Sequence, residues 1–197
     1  ARALRPARAL IGAPDAPLRV TEFADVLCGH CAELHHALAQ LVEAAPAGSL
    51  ALEPRQFPLD GECNAALHAP GQRPVRCLGA RALICMEGRP GAFEFAGRLF
   101  DSQHVLTQEL VLELAEPFLS REELATCVSA PETEAKLRDD IAWALEYDIR
   151  GTPMVLLNGR KAPRSGVFLY AMTLAGGDPE HPVFEDLPPP TPGAPAP

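Results

Sequence analysis

Leu18-Arg19-Val20-Thr21-Glu22-Phe23, then Cys28-Gly29-His30-Cys31, then Ala32 to Ala45: an alternating run, two cysteines separated by two residues, and an amphipathic run follow one another directly. The alternation, bounded by prolines before it and Ala24-Asp25 after it, predicts a strand. In the third run Cys31, Leu34, His35, Leu38, Leu41 and Val42 recur at spacings of three and four, a helical stripe fit to pack on a sheet, and Pro46 and Gly48 stop it. Cys28 therefore stands at a helix N-terminus, near unpaired backbone N–H groups and the positive end of the dipole. Its pKa is expected well below about 8.5. Such a thiolate attacks foreign disulfides, and Cys31, one turn further in, is placed to resolve the product. His30, when protonated, adds to the stabilisation. A pKa lowered by about three units is about 4 kcal/mol in favour of the thiolate, or up to about 90 mV toward oxidising for a two-electron couple. Glu22 is the odd residue of the strand, an acid on the same face as Leu18 and Val20.

Outward from this stretch, Leu50 to Phe57 predicts a second strand, confined to an edge or a bulge because Pro54 cannot donate to a ladder. A strand, helix and strand joined this way make a right-handed parallel unit. From Gly61 the periodicity turns helical: Val75 to Met86, Ala92 to Phe100, Thr107 to Ala115, then Ser120 with Glu123 as a capping box. Pro131 opens a long fifth helix with Leu137, Ile141, Ala144 and Leu145 on one stripe and Trp143 and Tyr147 beside it. The sheet resumes at Met154-Val155-Leu156-Leu157, Asn158-Gly159 predicts a tight hairpin into a short strand near Arg160 to Ala162, and Ser165 to Leu174 closes as a helix. Ala1 to Ala13 hold three arginines and no clear element, and six of the last ten residues are proline, which predicts an extended tail or linker.

The chain of 197 residues, 47% apolar, suffices for one good core. A net charge of -9 without a Lys/Arg cluster excludes nucleic acid as a partner. No apolar run approaches the roughly 18 residues that span a bilayer, the longest being Val167 to Ala175, so a soluble piece is expected. A start at Ala1 points to a processed or trimmed product whose signal or anchor is removed or lies upstream. Six cysteines point to an oxidising compartment.

The order of parts resembles the thioredoxin superfamily, and the large helical insert resembles its DsbA-like branch of disulfide oxidoreductases. The likeness runs from Gly12 to Gly177 and rests most on Glu22-Phe23 leading into Cys28-Gly29-His30-Cys31, and on Arg150-Gly151-Thr152-Pro153 leading into a strand that ends Asn158-Gly159-Arg160. It implies an α/β thioredoxin fold, a central mixed sheet flanked by helices, with an all-helical insertion between the second and third core strands. The expected division is a lead-in at 1–13, a thioredoxin-fold domain at 14–60 and 148–178, an inserted helical domain at 61–147 and a Pro-rich tail at 179–197.

The same resemblance implies a protein disulfide oxidoreductase, extracytoplasmic and monomeric, that needs no cofactor or metal. It would donate the Cys28–Cys31 disulfide to reduced exported proteins and be reoxidised by a membrane quinone-linked partner of the DsbB or vitamin K epoxide reductase type. Gly-His between the cysteines, as in protein disulfide isomerase, suggests an oxidant or isomerase. Pro153 matches the family's cis-proline, which aims the Thr152 backbone at a substrate strand, and Glu22 matches the acid that takes or relays the Cys31 proton. For Cys63, Cys77, Cys85 and Cys127 the expectation is two structural disulfides, Cys63 with Cys77 and Cys85 with Cys127, rather than four small buried apolar residues. Three other readings stay open: an isomerase or reductase using the same residues, a non-catalytic module holding peptides at Thr152-Pro153, and a zinc site of Cys28, Cys31, His35 and His36, which lacks a second Cys-x-x-Cys.

Overall fold

The computed structural model describes residues 4–67 and 73–184. Its strands are β1 (Ile11–Gly12), β2 (Leu18–Ala24), β3 (Leu50–Gln56), β4 (Met154–Leu157) and β5 (Arg160–Ala162). Its helices are α1 (Gly29–Ala44), α2 (Val75–Cys85), α3 (Ala92–Asp101), α4 (Gln108–Ala115), α5 (Arg121–Val128), α6 (Pro131–Glu146) and α7 (Gly166–Leu174), followed by a short 3-10 turn, Pro182–Phe184. The strand order is β1-β3-β2-β4-β5. Only β2 and β3 run parallel, joined through α1; the other pairs are antiparallel. This is the mixed sheet with a helical insertion, here between β3 and β4, that the resemblance implies. Residues 185–197, most of the predicted Pro-rich tail, lie outside the described residues, whereas Phe184 packs against the core under α7.

β2 occupies the middle of the sheet because helices cover both of its faces. Leu18 and Val20 meet Leu34, Leu38 and Leu41 of α1 and Leu169 and Met172 of α7, while Phe23 points the other way, against Trp143 of α6 and the α2 residues Ala80 and Ile84. All seven residues of β2 are buried, so its alternation separates two interfaces instead of core from water. The third core, between Val26 and α2 to α5, belongs to the insert, and Cys85–Cys127 ties α2 to α5 within it. The stretch 61–147 does not pack on itself alone, since α6 lies on the sheet.

Four expectations change. β3 is not an edge strand. It lies between β1 and β2, but β1 reaches only Ala51 and Leu52. The Phe57 N–H donates to Ala24 O on the β2 side, so alternation turns the Pro54 nitrogen to the opposite side, beyond the end of β1. The lead-in does contain an element: two residues of β1 are held by main-chain pairing, which leaves no periodicity to read. Val42 and Leu145, assigned to packing stripes, are 41% and 46% exposed; α1 and α6 turn them past the edge of their contacts. Trp143, assigned to a neighbouring face, is buried together with Leu137, Ile141 and Ala144, its ring edge-on to Phe23 at 5.2 Å.

A charged layer crosses the Trp143 face. Arg55 holds Glu53 at 2.5 Å and Asp140 at 3.0 Å, both carboxylates fully buried, with its guanidinium 4.9 Å from the Trp143 ring centroid. Arg8 reaches in from the N-terminal segment to Asp140 at 2.8 Å and Glu87 at 2.5 Å, and Arg19 stands 3.4 Å from Glu53. Three arginines thus face three carboxylates, and Asp140 also accepts from the Gln56 N–H. Removing one partner leaves buried charge without compensation, which costs about 3–5 kcal/mol. Asp140→Ala is therefore expected to lose about that much stability in urea unfolding, well beyond the loss from an exposed pair such as Arg98–Glu94.

Candidate active site

β2 delivers the chain to the site and stops at Ala24. The next three residues turn it: the Cys28 N–H donates to Asp25 O at 3.0 Å, and the Leu27 N–H donates to the Asp25 carboxylate at 2.8 Å. Cys28 is the N-cap of α1, in extended conformation (φ -85°, ψ 114°), and its sulfur accepts from the Cys31 N–H at 3.3 Å. One turn on, Cys31 is fully buried against Ala24 and Phe100, while Cys28 is half-buried; both are free thiols. From the other side, the cis Thr152–Pro153 bond before β4 presents Thr152, whose carbonyl accepts from the Cys28 thiol at 3.3 Å.

The two sulfurs differ in proton affinity. A hydrogen bond from the Cys31 side chain pulls the Cys28 pKa down to about 6 against its partial burial, helped by the Thr152 side chain and the Cys31 backbone and opposed by the Asp25 carboxylate. Burial drives the Cys31 pKa far up, with Cys28 and Glu22 adding to it. At neutral pH the pair carries one proton, on Cys31. Glu22, from β2, is nearly fully buried and one carboxyl oxygen has no hydrogen-bond partner among the described residues; burial, and then Cys28, pushes its pKa up to about 8. It also lines a 350 Å³ cavity with Val20, Leu38, His35 and Phe100.

Cys28, Cys31, Glu22, Thr152 and Pro153 are thus brought to one place. His30 is not: its ring is 62% exposed and pairs with Glu33 at 3.1 Å, so the groups that lower the Cys28 pKa are Cys31 and Thr152 instead. His35, stacked on Phe93 at 4.2 Å, is held neutral by burial, its pKa lowered to about 4, while His36 faces outward to Asp101. The two rings are turned to different surroundings, and among the described residues no cluster of metal-ligating atoms joins them to Cys28 and Cys31. Cys63 bonds Cys77 and Cys85 bonds Cys127, with Cα atoms 5.9 and 6.0 Å apart.

Asp25 is not singled out by any motif in the sequence, yet its carboxylate is fully buried, accepts also from the Leu59 N–H at 2.7 Å and pairs with Arg76 of α2. An acid three residues before the first cysteine, in an otherwise apolar turn, was the available signal. Gly79 allows this approach of α2, because a Cβ there would stand 2.9 Å from Val26.

A thioredoxin family model matches residues 5–166. No curated protein matches the chain. Among solved structures, alpha-DsbA1 of Wolbachia pipientis is similar with a TM-score of 0.67 and 20% identity, covering 85% of this chain and 92% of that one. BdbD of Bacillus subtilis, in its oxidised form, gives 0.68 and 18% over 85% and 91%. The oxidoreductase DsbA of Xylella fastidiosa gives 0.61 and 16% over 84% and 92%. At these identities the likeness is one of fold.

The pKa shifts set two tests. Alkylation of Cys28 in the reduced protein is expected to rise with pH through a midpoint near 6, and Cys31 to stay unreactive across the same range. For Glu22 the folded pKa is raised, so the stability it allows is complete below the unfolded value of 4.5 and is lost as pH rises through about 8. Glu22→Gln is expected to gain on wild type as pH rises from 5 to 9, by on the order of 1 kcal/mol or more in urea melts.

Proposed function

The chain belongs to the thioredoxin family, and on that footing we propose that it is a thiol-disulfide oxidoreductase of the DsbA type that passes its Cys28–Cys31 disulfide to reduced proteins. The observation that carries the reading is the division of labour between the sulfurs: Cys28 half-buried, capping α1 and held toward the thiolate, and Cys31 buried and held as a thiol.

In the oxidised enzyme a substrate thiolate attacks Cys28 Sγ, the accessible sulfur. The Cys28–Cys31 bond breaks, its electron pair leaves on Cys31, and a mixed disulfide forms. Cys31 cannot keep a charge in its buried position and takes a proton; Glu22, protonated at neutral pH, is placed to supply it. A second substrate thiolate then attacks the substrate sulfur of the mixed disulfide. Cys28 departs as a thiolate, the good leaving group its pKa makes it. Two substrate thiols pass two electrons to the enzyme and release two protons; one replaces the proton that Glu22 gave to Cys31, and the other goes to solvent because Cys28 stays a thiolate. Thr152, next to the cis Pro153, faces Cys28 and offers its backbone to an extended substrate chain.

Stabilising the Cys28 thiolate stabilises the reduced enzyme, which favours donation of the disulfide over its reduction of others. Cys63–Cys77 and Cys85–Cys127 support an oxidising, extracytoplasmic setting. No helix among the described residues is long and apolar enough to cross a membrane, and the proposed reoxidant is a membrane quinone-linked protein of the DsbB or vitamin K epoxide reductase type.

Equilibration of the Cys28–Cys31 pair with glutathione is expected to give a potential nearer the about -120 mV of a strong oxidant than the about -270 mV of thioredoxin. Cys28→Ser is expected to abolish oxidative refolding of a reduced substrate. A thioredoxin-like potential would assign the site to reduction or isomerisation, and refolding unchanged in Cys28→Ser would assign the protein to peptide holding.

A further inference from the structure

The charges around Cys28 come from four directions. Glu22 stands on β2, behind the dithiol, and is protonated at neutral pH; Cys31 lies inside α1; the His30–Glu33 pair sits on the exposed outer face of α1. Asp25, on the turn that leads into Cys28, is the fourth. Its carboxylate is fully buried and opposes negative charge on Cys28. Asp25 is also tied to the site by its backbone: its carbonyl accepts from the Cys28 N–H.

Three donors answer that carboxylate. The Leu27 N–H is local, but the Leu59 N–H and the Arg76 guanidinium arrive from elsewhere, one from the loop after β3 and the other from the start of α2. Those two segments are joined by Cys63–Cys77: Leu59 lies four residues before the first cysteine and Arg76 one before the second. Further bonds stiffen the same loop, from the Glu62 and Arg73 N–H groups to the Asp60 carboxylate and from Asn64 Nδ2 to Pro58 O. The disulfide therefore clips together the two distant donors that compensate the buried acid opposing negative charge on the attacking sulfur.

We propose that Arg76 and the Cys63–Cys77 disulfide are positioning elements of the dithiol: they hold and neutralise the Asp25 carboxylate, and so set how strongly the Cys28 thiolate, and with it the reduced enzyme, is favoured. Without Arg76, the Asp25 carboxylate keeps its two backbone donors and loses the cation that offsets its charge, which then acts on Cys28 through a poorly screened interior. The consequence for electron transfer rests on the oxidoreductase reading above; the effect on Cys28 itself does not.

The test measures the Cys28 thiolate fraction against pH in the reduced protein, by ultraviolet absorbance and by alkylation rate, with no substrate present. Arg76→Met is expected to cut the thiolate-to-thiol ratio at a given pH about tenfold, on the order of one pKa unit, and to move the glutathione equilibrium toward the disulfide form in proportion. Asp25→Asn is expected to move both in the opposite direction. Cys63→Ala/Cys77→Ala follows Arg76→Met with a smaller change, and Arg76→Lys retains most of the wild-type value. Opposite signs are the electrostatic signature, because a mere loosening of the turn returns Cys28 toward an ordinary thiol in both Arg76→Met and Asp25→Asn. A shift of the same sign in those two variants, or none in Arg76→Met while thermal melting shows it folded, overturns the proposal. The expected shifts in a protein that fails to oxidise a reduced substrate would overturn the oxidoreductase reading and leave this one standing.

Discussion

Two sulfurs three residues apart must hold their protons with opposite affinities, and the fold is arranged around that requirement. A helix N-terminus answers half of it: Cys28 caps α1 and its sulfur receives the Cys31 N–H. The other half needs burial, which a surface helix cannot supply. Cys31 becomes inaccessible because α1 lies on the sheet and because Phe100 of α3, from the insert, closes over it. The sheet, the helix and the insert each contribute one condition for the same asymmetry.

Charge placed inside the molecule serves two different purposes. On the Trp143 face, Arg8, Arg19 and Arg55 meet Glu53, Glu87 and Asp140, and every carboxylate has a cation near it. Those ions hold the N-terminal segment, β3 and α6 together and stand apart from the dithiol. On the α1 face Glu22 is buried with no ion-pair partner among the described residues, and burial, then Cys28, pushes its pKa up to about 8. Asp25 is intermediate, a buried acid compensated from a distance by α2. A buried acid without a cation to compensate it is driven toward its protonated form.

Much of the fold could be read along the chain because its elements are local. The Leu18–Phe23 alternation, the α1 stripe, the Ser120–Glu123 capping box and the Asn158-Gly159 hairpin all depend on residues within one turn or one strand of each other, and the structure has each of them. β1 was invisible because two residues of main-chain pairing carry no side-chain pattern. Pro54 suggested an edge because the sequence does not tell how far a neighbouring strand extends. Val42 and Leu145 fitted their helical stripes, yet whether a flanking position is covered depends on how wide the opposing surface is.

At the site, the sequence by itself determined which residues are the candidates: a Cys-x-x-Cys at a helix start and a Thr-Pro before a strand are local motifs with local physical reasons. Tertiary structure alone decided how those residues behave. His30, adjacent in sequence, turned outward to Glu33, whereas Thr152, far along the chain, came within 3.3 Å of Cys28. Asp25 acquired Leu59 and Arg76 as partners. The physical reason is that proton affinity follows burial and nearby charge, and both are set by which distant segments the sheet brings against the start of α1.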